Sequence, residues 1–149
     1  MRLAEIRDRV LGDHAALRTR VARVEAFSRA TLASASGAQE LRAETRELIR
    51  ALEQHMGWED EHLLPVLSDV DEWGPERVRR MQGDHLEQRE LLRYASSVLE
   101  DPTRALELLA RTTLDLARLL QDDMQDEEEV LLDPSVLRDD IVGVDVETG

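Results

Sequence analysis

The sequence predicts an all-α protein, an antiparallel up-down four-helix bundle followed by an extended carboxyl-terminal tail. Apolar residues recur at steps of three and four along four successive segments, each roughly 25 residues long. Short stretches rich in Gly, Pro, Ser and Asp separate those segments. Leu and Ala supply most of the apolar content while aromatic residues make up only 3%, a composition that favours helices over sheets.

The first segment carries Ile6, Val10, Leu17, Val21 and Val24 on one stripe, with His14 in the same register. It fades in the small-residue stretch Ala33-Ser34-Ala35-Ser36-Gly37. Ser36 followed three residues later by Gln39 predicts a capping box for the second helix. That helix runs from about Ala38 to the Pro65 region. Its stripe holds Leu41, Leu48, Leu52, Leu63 and Val66, interrupted by His55 and Glu59. Asp69 to Gly74 reads as a turn, and Pro75 stands where a first helical residue is expected. The third helix places Val78, Met81, Leu92 and Leu99 on one face with His85 among them. Asp101-Pro102 predicts the N-cap and first residue of the fourth helix. There Leu106, Leu109, Thr113, Leu116, Leu120 and Val130 are in register, together with Asp123 and Glu127. Pro134 ends it, which gives a bundle over 1–134 and a tail over 135–149 that alternates apolar and acidic residues.

With 149 residues, 42% of them hydrophobic, the chain suits a single domain with a sizeable core. A formal net charge of −14 argues against nucleic acid or an anionic membrane as partner. No apolar run approaches the roughly 20 residues a membrane span needs. The first residues lack the apolar core of a signal peptide, so a soluble cytoplasmic protein is expected. Cysteine is absent, which excludes disulfides, thiolate nucleophiles and thiolate metal ligands. Histidine and carboxylate ligands remain, and they suit iron, manganese or zinc.

The pattern of misplaced polar residues points to such ligands. His55 and Glu59 are one helical turn apart on an apolar face, so their side chains lie one above the other. His14, His85, Asp123 and Glu127 interrupt the stripes of the other helices in the same way. There is also an internal echo. Gly12-Asp13-His14 with Arg18 is matched by Gly83-Asp84-His85 with Arg89. His55-Met56 with Glu59-Asp60-Glu61 and Leu63-Leu64 is matched by Asp123-Met124 with Glu127-Glu128-Glu129 and Leu131-Leu132. The chain reads as two related helical hairpins, each contributing half of one central site. Unpaired buried carboxylates each cost several kcal/mol, against a whole-domain stability of about 5–15 kcal/mol. They must be protonated, hydrated or bound to a cation. Three carboxylates with three neutral imidazoles match the demand of two divalent metals.

Those motifs resemble the hemerythrin-like (HHE-type) cation-binding domains over about residues 1–134. The resemblance rests on Asp13-His14 with Leu17-Arg18, His55-x-x-x-Glu59 with Leu63-Leu64-Pro65, Asp84-His85 with Arg89, and Glu127 with Leu131-Leu132. It implies two non-haem iron ions inside a four-helix bundle, with His14, His55 and His85 as terminal ligands and Glu59 and Glu127 bridging the metals. Manganese and zinc also suit the donor set. Asp123 stands where the resemblance calls for a fourth-helix histidine, and Arg89 where oxygen carriers of the family place a further one. Fewer imidazoles and more carboxylates make the site more similar to oxidising di-iron enzymes than to a reversible carrier. The implied function is binding of, or reaction with, a small ligand such as O2 or peroxide, by peroxidase-, catalase- or oxidase-like chemistry. A non-catalytic metal-binding or iron- and oxygen-sensing module is the alternative, and a metal-free bundle acting through its acidic surface is a third.

His62, two turns beyond His55, is expected at the surface or behind the ligands. Met56 and Trp58 read as packing residues, Tyr94 as remote from the site, and the run from Asp122 to Glu129 as a solvated face apart from Asp123 and Glu127.

Overall fold

The computed structural model describes residues 2–132; the expected tail, the Pro134 stop and the side chain of Val130 lie outside the described residues. Helix α1 (Leu3–Ser34) leads into α2 (Ala38–Trp58), which continues through a first π turn (Glu59–Leu63) into the short α3 (Leu64–Ser68). After a turn come α4 (Gly74–Glu100), α5 (Leu106–Asp126) and a second π turn (Glu127–Leu131). The continuous α2–α3 rod counts as one bundle helix. Among the described residues there are helices and turns and no strand.

Each helix packs against its two sequence-adjacent or chain-closing neighbours: α1 on α2 and α5, α4 on α2 and α5. The diagonal pairs hardly touch, as the expected up-down bundle requires. Two apolar layers fill it. One gathers Leu17, Val21, Leu48, Leu52, Met56, Leu92, Val98, Leu116 and Met124 among others. The other holds Leu3, Ile6, Val10, Leu63, Leu67, Met81 and Leu132. Between them every bundle helix interrupts its apolar stripe: His14 lies between Val10 and Leu17, Glu59 between Met56 and Leu63, His85 between Met81 and Leu92, Glu127 between Met124 and Leu132. A polar layer sealed by hydrocarbon on both sides follows directly from that placement.

The helix ends depart from the sequence expectation twice. The predicted Ser36–Gln39 capping box does not form. Gly37 is the N-cap residue of α2, in the left-handed region at φ 78°, where glycine carries no Cβ penalty. Ser36 lies one residue outside; its hydroxyl meets that of Ser34 at 2.6 Å and its carbonyl accepts from Thr31. Likewise α5 starts at Leu106 rather than Pro102. The Asp101 carboxylate accepts from the backbone N–H and hydroxyl of Thr103, closing an Asx turn that holds 102–105 out of the helix. The turn before α4 and the position of Pro75 match expectation. Gly74 is required there by close approach, because a Cβ would collide with the backbone carbonyl oxygen of Ser68.

The helix past Pro65 extends further than the spacing suggests, to Ser68. Pro65 falls in the first turn of α3, where a missing N–H costs least. The π turn before it closes with the Leu64 N–H bonded to the Glu59 carbonyl, five residues back. The Leu132 N–H bonds to the Glu127 carbonyl in the same way. The two halves of the sequence echo thus share an uncommon backbone feature, one that recurs at functional sites.

Candidate metal centre

Both π turns begin on a glutamate of the polar layer, and the helical stretch before each one fixes the glutamate's neighbours. On α2 the four-residue step brings His55 Nε2 to 2.9 Å from Glu59 Oε1. From α4, His85 Nε2 reaches the same oxygen at 3.3 Å. From α1, His14 Nε2 stands 3.4 Å from Glu127 Oε1, and the rings of His14 and His55 meet edge-on with centroids 5.0 Å apart. One donor atom each from His14, His55, Glu59 and Glu127 lies within 4.8 Å of all the others. His14, His55, His85 and Glu59 are buried.

The outer nitrogens of His55 and His85 are held by carboxylates, and that of His14 has one nearby. His55 Nδ1 is 3.2 Å from Asp13 Oδ2, and His85 Nδ1 is 2.8 Å from Asp60 Oδ1. His14 Nδ1 is 3.5 Å from Glu128 Oε2. Arginines anchor those carboxylates in turn: Arg9 pairs with Asp13, Arg18 with Glu128 and Arg89 with Asp60. A carboxylate on Nδ1 fixes the tautomer that presents Nε2 inward as a lone pair, the usual support of metal-binding histidines.

The inner face lacks such partners. Both His14 nitrogens, Glu59 Oε2 and Glu127 Oε1 are buried without a hydrogen-bond partner among the described residues. Each such atom costs about 1–3 kcal/mol, and more where charged. A cation among them would satisfy the set, and imidazole with carboxylate is the donor set that iron, manganese and zinc accept.

Protonation in the metal-free protein follows the same geometry. Burial, with His55 nearby, drives His14 down to about 4, so it is neutral at physiological pH. Burial pulls on His55 and His85 as well, but Glu59 with Asp13, and Glu59 with Asp60, outweigh it and raise both. Burial would raise Glu59, yet Glu127, His55 and His85 together hold it far below the usual carboxylate range. Burial and the adjacent Glu59 carboxylate push Glu127 well above that range. The shifts of His55, His85 and Glu127 all favour their protonated forms, at the place where a metal would bring positive charge.

Of the residues the sequence singles out, His14, His55, Glu59 and Glu127 come together and His85 borders them through Glu59. Asp123 stands apart. It is half-buried, accepts a 2.7 Å hydrogen bond from Gln88 Nε2, and burial pushes it up to about 6. His62 is at the surface against the Trp58 ring, 4.8 Å between centroids. Met56 is core, the Arg9 guanidinium stacks on Trp58 at 4.7 Å, and Tyr94 is exposed. The acidic run needs correction: Glu128 is not a plain solvated residue, because the π turn swings it toward His14 and Arg18. Asp13, Asp60, Glu128 and Gln88 were not singled out by stripe reading. The echo held the signal for the first three, since Asp13 precedes His14 and Asp60 and Glu128 each follow a site glutamate.

A sealed layer of histidines and carboxylates, braced from outside and short of partners inside, defines a class of cation-binding helical bundle. The chain belongs to the Hemerythrin HHE cation binding domain family, whose pattern matches residues 5–133. Comparison with curated proteins and with solved structures found no match. No helix among the described residues is long and apolar enough to cross a membrane.

Proposed function

We propose that this protein holds two non-haem iron ions in the polar layer and binds or reacts with a small ligand such as O2 or peroxide there. His14, His55, His85, Glu59 and Glu127 would hold the ions. One observation carries the reading: His14 on α1 and the glutamates Glu59 and Glu127 of the two π turns present buried atoms without hydrogen-bond partners among the described residues, with donor atoms of all three and of His55 within 4.8 Å of one another. Iron supplies a Lewis acid and an exchangeable electron to such a site.

The chain's own residues do the rest. Asp13 and Asp60 hold His55 and His85 in the metal-accepting tautomer, and Glu128 stands 3.5 Å from the outer nitrogen of His14. The apolar layers keep bulk water from the carboxylates, which strengthens their hold on positive charge. Between α1 and α2 an open cavity of about 230 Å³ has His55 and its partner Asp13 in its lining, with Arg9, Leu17, Arg20 and Gln54 among others. That is below the roughly 300–1,000 Å³ of pockets for drug-sized molecules.

The test is anaerobic loading with excess ferrous iron, followed by metal analysis and near-ultraviolet absorption before and after exposure to O2 or peroxide. About two irons per chain with a spectrum that responds to either oxidant supports the proposal. Iron bound without any response favours the passive or sensing alternative. No iron bound overturns both.

A further inference from the structure

The two hairpins of the echo superimpose their roles with one exception. Asp13, His14 and Arg18 on α1 correspond to Asp84, His85 and Arg89 on α4 at identical spacing. Glu59 and Asp60 in the first π turn correspond to Glu127 and Glu128 in the second. The bracing repeats as well, since His85–Asp60–Arg89 mirrors His14–Glu128–Arg18. The repeat breaks at two positions, where Leu17 and His55 in one half correspond to Gln88 and Asp123 in the other.

Both changes fall in one quadrant and touch each other. His55 Nε2 is directed at Glu59, whereas Asp123 Oδ2 is bound by Gln88 Nε2 at 2.7 Å. Gln88 is buried, so the amide is fixed rather than free to swing into solvent. Leu17 in the equivalent place has no polar group to compete for His55. The donors that lie within mutual reach are His14, His55, Glu59 and Glu127, and His85 joins them through Glu59 Oε1 at 3.3 Å. The other side has His85 as its one imidazole, and Asp84 there has no ring to brace as Asp13 braces His55.

We propose that the two metal positions are inequivalent: the position between His14 and His55 binds one cation tightly, the position at His85 binds a second at least tenfold more weakly, and Gln88 is the positioning residue that withholds Asp123. This rests on the metal-centre reading above. An uncharged amide bonded to Asp123 occupies one of its oxygens, and Asp123 is not among the donors that lie within mutual reach. The second cation therefore meets two bridging carboxylates and one imidazole, the first an additional imidazole.

Calorimetric titration of metal-free protein with Co(II), read in parallel by the cobalt visible spectrum, tests this. Two events are expected, separated by tenfold or more in affinity (about 1.4 kcal/mol or more), the first with the spectrum of a two-imidazole site. His55→Ala removes the tight event, and Asp123→Ala leaves it in place. Gln88→Leu strengthens the second event without moving the first, and Gln88→Leu with Asp123→His, which rebuilds the pattern of the other half, brings the two within a few fold. Two equal events in the unmodified protein overturn the inequivalence while leaving the metal centre standing. So does an Asp123→Ala variant that loses the tight event as His55→Ala does. A second event unmoved by Gln88→Leu overturns the role of Gln88. No binding at all overturns the metal centre itself, and this inference with it.

Discussion

Replacing Glu59 with Gln separates a metal centre from a merely polar core. The change keeps the side-chain volume in a position only 1% exposed and removes one negative charge. Glu59 Oε1 is shared by His55 at 2.9 Å and His85 at 3.3 Å, and its carboxylate adjoins Glu127, so the variant weakens both metal positions together. A ligand at a hundredfold excess over its Kd stabilises the native state by about 2.7 kcal/mol. For a chain of this length each kcal/mol moves Tm by about 2–4 °C, so the unmodified protein should gain about 5–11 °C. Differential scanning calorimetry of metal-free protein with and without Mn(II) or Fe(II) measures this. The comparison is made within each protein, which removes any effect of Gln on the metal-free fold. The expected result is a shift of that size in the unmodified chain and almost none in Glu59→Gln. A variant that keeps the full shift would refute the assignment of Glu59.

Metal stabilisation should also grow with pH. The folded-state values of His55, His85 and Glu127 are all raised, so their contribution to metal-free stability is present below the unfolded values and is lost as pH rises through the folded ones. A metal displaces those same protons, while His14, lowered to about 4, has none to lose. The metal-induced rise in Tm should be larger at pH 8 than at pH 6, and an unbuffered titration should acidify; equal shifts at both pH values would contradict this. Asp60→Asn, which leaves His85 without its carboxylate brace, should weaken binding at the His85 position by about 10–100-fold, read by competition with a chelator. Gly74→Ala should cost about 1–3 kcal/mol through backbone displacement, lowering Tm by several degrees while metal content stays unchanged, because Ser68 lies outside the polar layer.

Much of this was legible in the residues. Four apolar stripes at helical period specify four helices, and short connections make them antiparallel. A histidine or carboxylate interrupting each stripe marks the polar layer, and the echo ties the halves together. What was less legible has a common cause. The extra residue of each π turn shifts everything after Glu59 and Glu127 relative to a 3.6-residue period. Glu128 therefore reads as solvent-facing when its carboxylate turns inward to His14. Gln88 escaped notice because a glutamine on a stripe looks like a boundary residue; its meaning depends on Asp123 lying opposite, 35 positions on. The helix starts failed for a local reason. Ser36 and Asp101 both carry capping side chains, but one bonds Ser34 and the other closes its own turn, and spacing alone does not distinguish those uses from an N-cap.

The central claim is that positive charge belongs between the four helices, among His14, His55, Glu59 and Glu127. The most direct measurement is anomalous diffraction at the iron edge from crystals of protein loaded anaerobically with ferrous iron. A strong peak is expected inside that quartet, with a weaker neighbour toward His85. An anomalous map with no peak there, the imidazoles and carboxylates closing on one another or on water instead, would contradict it.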